Sequence, residues 1–95
     1  MAEIDVAEIW SYLAEETSGS FATEFLTRIE ARFNQALSHP HSGAPRPHLG
    51  RDLRVILYEK YAIYYLLRTD EIIVVRVLHG SRDIGTIADD GGFAI

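Results

Sequence analysis

From Ile4 to Glu16 the apolar residues Ile4, Ala7, Ile9, Trp10, Leu13 and Ala14 recur at helical spacing, with Asp5, Glu8, Glu15 and Glu16 between them. That period predicts an amphipathic helix whose carboxylates face solvent. Thr17-Ser18-Gly19-Ser20 interrupts it, and Ser20, with Thr23 and Glu24 following, is the expected N-cap of a second helix. The second stripe runs through Ala22, Phe25, Leu26, Ile29, Phe33, Ala36 and Leu37. Two such helices with a short break between them predict a hairpin that lays its apolar sides on a sheet.

The pattern then changes. Residues 38–52 hold all three prolines and three of the four histidines, a composition that excludes a helix. Beyond this loop, Leu53–Tyr58, Tyr61–Arg68 and Ile72–His79 are rich in Val, Ile, Leu and Tyr, with Glu59-Lys60 and Thr69-Asp70-Glu71 separating them. They predict a three-stranded antiparallel meander. Apolar groups fall on both of its faces, with Arg54 and Arg76 among them. One face is therefore expected to be partly polar or covered by a partner. The tail after Arg82, with Asp89-Asp90-Gly91-Gly92, is expected to be poorly ordered on its own. The predicted fold class is α+β, one domain over 1–95: hairpin 4–37, loop 38–52, meander 53–79, tail 80–95.

Composition narrows the function. At 95 residues with 47% hydrophobic and 24% charged positions, the chain suits a single small globular domain. It has no cysteine, which removes disulfides, thiolate metal sites and cysteine nucleophiles. No apolar run approaches the ~20 residues of a membrane span, and the acidic N-terminus is unlike a signal peptide, so a cytoplasmic, membrane-free protein is expected. The net charge of −5 is unevenly placed. Residues 1–38 carry two arginines against seven carboxylates, residues 39–82 seven Lys/Arg against four, and residues 83–95 three aspartates. The mildly basic middle is too weak for direct nucleic-acid binding but complements an acidic peptide.

The order of elements resembles the RelE/ParE toxins of type II toxin–antitoxin systems, and in particular their ParE branch. The likeness spans roughly residues 3–84. It is carried by Ile9-Trp10-Ser11-Tyr12-Leu13-Ala14-Glu15, by His39-Pro40 with Gly43-Ala44-Pro45-Arg46-Pro47-His48-Leu49-Gly50, by Arg54, by Tyr61-Ala62-Ile63-Tyr64-Tyr65, and by Val75-Arg76-Val77-Leu78-His79-Gly80-Ser81-Arg82-Asp83-Ile84. The resemblance implies a toxin that inhibits DNA gyrase by protein contact and serves plasmid stabilisation. It also implies neutralisation by a cognate antitoxin with a DNA-binding N-terminal part and an acidic C-terminal segment that wraps the toxin. One departure stands out: family members begin with a strand of about five residues ahead of the first helix, and here that strand is expected to be absent. Such a chain is expected to be marginal alone or to self-associate, because unpaired strand edges seek partners.

Relatives of the RelE kind cut messenger RNA on the ribosome, which requires a basic cluster and a proton-transfer group. In those chains an arginine follows the middle-strand tyrosine, and an arginine and a tyrosine follow the last strand. Here Ala62 and Gly85 stand at two of these places, while Arg82 remains. His79 and Arg82 are thus residual active-site positions of the alternative nuclease reading, and a degenerate, non-toxic member is the third. The chain is expected not to be an enzyme and to need no cofactor. Arg54, Arg76, Arg82 and Tyr65 are the expected antitoxin contacts, since the planar guanidinium fork binds carboxylates in pairs. Against this stands ordinary surface pairing of the arginines with Asp52, Glu71 or Asp83. His39, His41 and His48 have the spacing of metal ligands but no neighbouring carboxylate, so no metal is expected. Trp10 is expected to pack helix against sheet.

Overall fold

The computed structural model describes residues 1–69 and 71–94, and all side chains among them except that of Leu37. The turn residue Asp70 and the Leu37 side chain, assigned above to a reversal and to the second helical stripe, lie outside the described residues. Helix α1 (Ala2–Glu16) and helix α2 (Gly19–Leu37) form the hairpin, and a 3-10 turn (Pro40–Ser42) follows. Strands β1 (Ala44–Pro45), β2 (Leu53–Tyr58), β3 (Tyr61–Leu67) and β4 (Ile72–His79) come next, and α3 (Ile84–Asp89) closes the chain. The strands make one antiparallel sheet in the order β1-β2-β3-β4. The architecture is α+β, with the helical hairpin packed on the sheet.

The meander follows the sequence closely, ending one residue early at Leu67. Its first reversal is tight: Glu59 holds φ at 54° so that Tyr58 can pair with Tyr61. The short β1 is an addition to the three expected strands, with Ala44 and Pro45 set against Val55 and Arg54. Proline is tolerated there because β1 is the outermost strand and needs no inward donor at that position. Between β3 and β4 the register shifts at Tyr64/Tyr65, so that Tyr64 faces Arg76 and Tyr65 faces Val74. Val75 is the extra residue of this bulge.

Both faces of the sheet are buried, by different parts of the chain. On one, Ile9, Ile29 and Ala36 of the hairpin meet Ile56, Ile63, Tyr65 and Val77 of the strands. On the other, Leu53, Val55, Ala62, Tyr64, Leu66, Val75 and Leu78 pack with Phe93, supported by Leu49 and by Ile84 and Ile87 of α3. The second face is thus covered by the chain's own loop and tail. The described residues of the tail, 83–94, are folded, contrary to expectation. Asp83 caps α3 by accepting from Thr86 N–H at 3.1 Å, Gly91 takes φ +77°, and Phe93 sits edge-on to Tyr64 at 4.8 Å. Gly92 has no room for a side chain, since an added Cβ would lie 2.7 Å from the Ile87 carbonyl oxygen.

Two helical details also differ. Ser18, not Ser20, caps α2, its hydroxyl accepting from Phe21 N–H at 3.1 Å. On α1 the buried positions are Asp5 and Ile9, while Ile4 and Trp10 are exposed. Trp10 joins the two helices instead of reaching the sheet: its Nε1–H donates to Thr23 Oγ1 at 3.0 Å. Asp5 turns inward because β4 offers it three donors, described next.

Candidate partner-binding surface

Three of the four expected contact residues prove to be internal fastenings. Arg76 is 5% exposed and its guanidinium grips Asp5 with two bonds, Nε to Oδ2 at 2.7 Å and Nη2 to Oδ1 at 2.8 Å. Its remaining Nη1 donates to the Gly92 carbonyl at 3.0 Å. Asp5 Oδ2 also accepts the Val77 backbone N–H at 3.0 Å, so a side chain of α1 satisfies a main-chain donor of the outer strand β4. Hydrogen bonding to Asp5 raises the Arg76 pKa further above its ordinary value, against the opposing effect of burial. With the guanidinium committed on three sides, Arg76 has no fork left for a partner's carboxylate. This corrects its expected role, and its ion-pair partner lies 71 residues away instead of being Asp52, Glu71 or Asp83.

Tyr65 is 1% exposed. Its hydroxyl donates to the Pro40 carbonyl at 2.8 Å and accepts Gly43 N–H at 3.1 Å, pinning the proline loop over the sheet. Gly43 is required by this approach, since an added Cβ would stand 2.9 Å from the tyrosine ring carbons. Arg54 holds the same loop from the side through bonds to the His41 and Gly43 carbonyls at 3.0 and 2.8 Å. Tyr65 is thus buried, whereas Arg54 is half-buried with its Nη1 committed to the loop. The loop histidines His39, His41 and His48 join no group of three or more metal-ligating side chains among the described residues.

Arg82 differs. It is exposed, just past β4, and among the described residues its side chain makes no hydrogen bond or ion pair. His79 at the end of β4 is half-buried, edge-on to Tyr61 with ring centroids 5.2 Å apart. Ser81 N–H donates to its Nδ1 at 3.0 Å, which assigns the ring proton to Nε2, and the Ser81 hydroxyl lies 2.7 Å from the same nitrogen. Ala62 and Gly85, the positions of the missing arginine and tyrosine, lie in β3 and in the first turn of α3.

The same end of the molecule carries a feature that the sequence reading did not assemble. A cleft of about 430 Å³ opens between the hairpin and the β2–β3 reversal, walled by Tyr12, Phe21, Phe25, Tyr58 and Tyr61 with Lys60 at its rim. The rings are in sequence contact: Phe21 to Phe25 at 6.1 Å, and Phe25 to Tyr58 and Tyr61 at 5.5 Å each. Tyr12 and Phe21 remain 58% and 41% exposed. Burial, and then the adjacent Tyr12 phenol, push the Tyr61 hydroxyl above its ordinary pKa. The available signal was Tyr12 and Phe21, aromatic residues that fall off the apolar stripes of their helices.

Among the described residues no helix is long and apolar enough to cross a membrane. Comparison with known proteins agrees with the architecture. Toxin ParE3 of Caulobacter vibrioides is 24% identical over 80 residues, covering 84% of this chain and 80% of that protein. The family model described as the ParE toxin of type II toxin–antitoxin system, parDE, matches residues 1–84, which takes in the hairpin, the proline loop, the whole meander and Arg82. The chain therefore belongs to the ParE toxin family of type II toxin–antitoxin systems.

Proposed function

We propose that this chain is a cytoplasmic toxin that inhibits DNA gyrase by protein contact and is neutralised by a cognate antitoxin. The observation that carries the reading is membership of the ParE family over residues 1–84. The side-chain inventory supports it. Catalysis of RNA cleavage calls for a base with an available lone pair beside a cationic cluster. Here His79 has its Nδ1 engaged by Ser81, and Ala62 and Gly85 replace the other two groups of an RNA-cutting relative. Arg82 alone supplies neither a base nor a cluster. Inhibition by binding needs only a surface, and the chain acts without a cofactor in this reading.

Induced expression in a bacterial host tests it. A gyrase inhibitor raises the DNA-damage response and leaves messenger RNA intact, and purified protein slows gyrase supercoiling of plasmid DNA. Rapid messenger cleavage without the damage response would replace this reading with the nuclease one. Growth unaffected by expression would mark a family member that retains only complex formation.

A further inference from the structure

We infer that the open half of the β4 edge, Ile72–Val75, pairs antiparallel with the same segment of a second copy of this chain, about a two-fold axis at Ile73. The inference is independent of the toxin reading above. The sheet has two outer strands, and they are protected differently. β1 is two residues long and carries Pro45, features that keep an edge from recruiting another strand. β4 runs for eight residues and, among the described residues, pairs with β3 alone.

The second half of β4 is guarded. Val75 is the bulge residue, and the outward donor beyond it, Val77 N–H, is taken by Asp5 Oδ2 at 3.0 Å. Arg76 lies opposite Tyr64, on the face covered by Phe93, yet grips Asp5 on the hairpin, so the ion pair passes around the edge and closes it. The first half has no such guard. Arg68 N–H donates to the Glu71 carbonyl at 3.0 Å, and the alternation of an antiparallel ladder then turns Ile73 toward β3 and the main-chain groups of Ile72 and Val74 outward. Among the described residues no main-chain bond reaches those groups from outside the sheet. Ile72-Ile73-Val74-Val75 is β-branched throughout and uncharged, and its first three residues are half-buried.

This geometry selects a second copy as the occupant. An antiparallel edge is its own complement: a two-fold axis at Ile73 sets Ile72 of one copy against Val74 of the other, and the two residues exchange N–H···O bonds in both directions. Ile73 then meets its own counterpart in the close, non-hydrogen-bonded position, with no charge in the segment to repel the copy. A register shifted toward the end of β4 runs into the bulge and the Asp5–Arg76 pair, so this one is favoured. An open groove of about 460 Å³ beside Ile72, walled by Phe33, Pro40 and Leu67 among others, adds apolar surface for the second copy to cover. A ladder this short gives a reversible dimer.

The test follows sedimentation of the full chain over a concentration series, together with hydrogen exchange at Ile72 and Val74. The expected result is a reversible monomer–dimer equilibrium in which those two amides gain protection as concentration rises. Val74→Pro removes an outward donor from each copy without touching a bond to β3, so it should weaken the dimer about tenfold or more. Ile72→Lys, a charge on the edge, should weaken it as well. Melts in the dilute, monomeric range should show both variants folded. The chain has no cysteine, which permits a direct measure of register. Ile73→Cys should oxidise to a disulfide-linked dimer, because the Cα atoms of a non-hydrogen-bonded pair lie about 4.5 Å apart, within disulfide reach. Exposed Ser11→Cys on α1 should not. A parent that stays monomeric at every concentration, a dimer untouched by Val74→Pro, or a dimer that Ile73→Cys fails to link would each overturn the inference. So would a monomeric parent whose Ile72 and Val74 amides are protected only on adding the purified product of the small reading frame adjoining its gene, which would give the edge to the antitoxin.

Discussion

Tyr65 shows how a residue can carry a family resemblance for structural reasons. Its hydroxyl is the one group through which β3 holds both Pro40 and Gly43, and burial makes that bond matter: an unsatisfied buried N–H costs about 1–3 kcal/mol. Tyr65→Phe should lower unfolding stability by that amount in urea titrations while leaving antitoxin affinity within twofold of the parent. A selective loss of affinity at unchanged stability would restore Tyr65 as a contact residue. The Asp5–Arg76 pair behaves similarly at higher stakes, since both side chains are about 95% buried or more. Asp5→Asn leaves a buried guanidinium short of its counter-charge and should cost about 3–5 kcal/mol. The double replacement Asp5→Leu/Arg76→Leu should cost less than the sum of the two single ones, as a double-mutant cycle would show. Arg76→Glu would place two carboxylates together in the core, so it reports on folding and not on partner binding. None of this was legible in the sequence. A helical period sorts Asp5 outward with the other acids, and nothing local to α1 shows that Arg76 and the Val77 N–H wait on β4.

Elements whose signal is local were read well, and those made by long-range contact were not. β2 and β4 agree with the sequence to the residue because alternating β-branched and aromatic positions between polar reversals suit a strand whatever lies beyond it. Ala44-Pro45 has no such preference and becomes β1 only by lying against Val55 and Arg54. α3 is the sharper case. Its aspartates and glycines suggest a loose tail, yet Asp83 caps it and Phe93 anchors the segment on Tyr64, 29 positions earlier in the chain. The cap gives α3 a pH dependence whose sign is fixed. Bonds from the Thr86 backbone and hydroxyl hold the Asp83 pKa below its ordinary 3.8. A carboxyl with a lowered folded-state value stabilises the fold fully above its unfolded value, and that contribution disappears as pH falls through the folded one. Hydrogen-exchange protection at Ile87 and Gly92 should therefore hold at neutral pH and weaken below the ordinary aspartate range. Asp83→Ala should weaken it at neutral pH and remove this acid dependence, and protection in that variant equal to the parent's at neutral pH would show that the cap contributes nothing.

At the scale of the whole molecule, the sheet is a layer closed on both sides by a single chain of 95 residues. The hairpin that closes one side lies inside the family match, whereas Phe93 and most of α3, which close the other, lie beyond residue 84. The family pattern alone would make this tail dispensable. The packing argues otherwise: Phe93 is 6% exposed, it covers Tyr64, and the Gly92 carbonyl before it takes the last donor of Arg76. Loss of the ring therefore loosens a face of the sheet and one end of the buried ion-pair network together. Phe93→Ala should cost about 3 kcal/mol, the range of buried aromatic truncations. For a domain of this size each kcal/mol shifts the melting temperature by about 4–8 °C, so calorimetry should register a fall of roughly 12–24 °C. Burial also holds the Tyr64 hydroxyl above its ordinary pKa, with Arg46 pulling the other way, and removal of the ring should bring its alkaline titration downward. A parent-like melt with unchanged Tyr64 titration would mean that the tail only rests on the sheet. If both move, the second face of the sheet is closed from within by the chain's own tail.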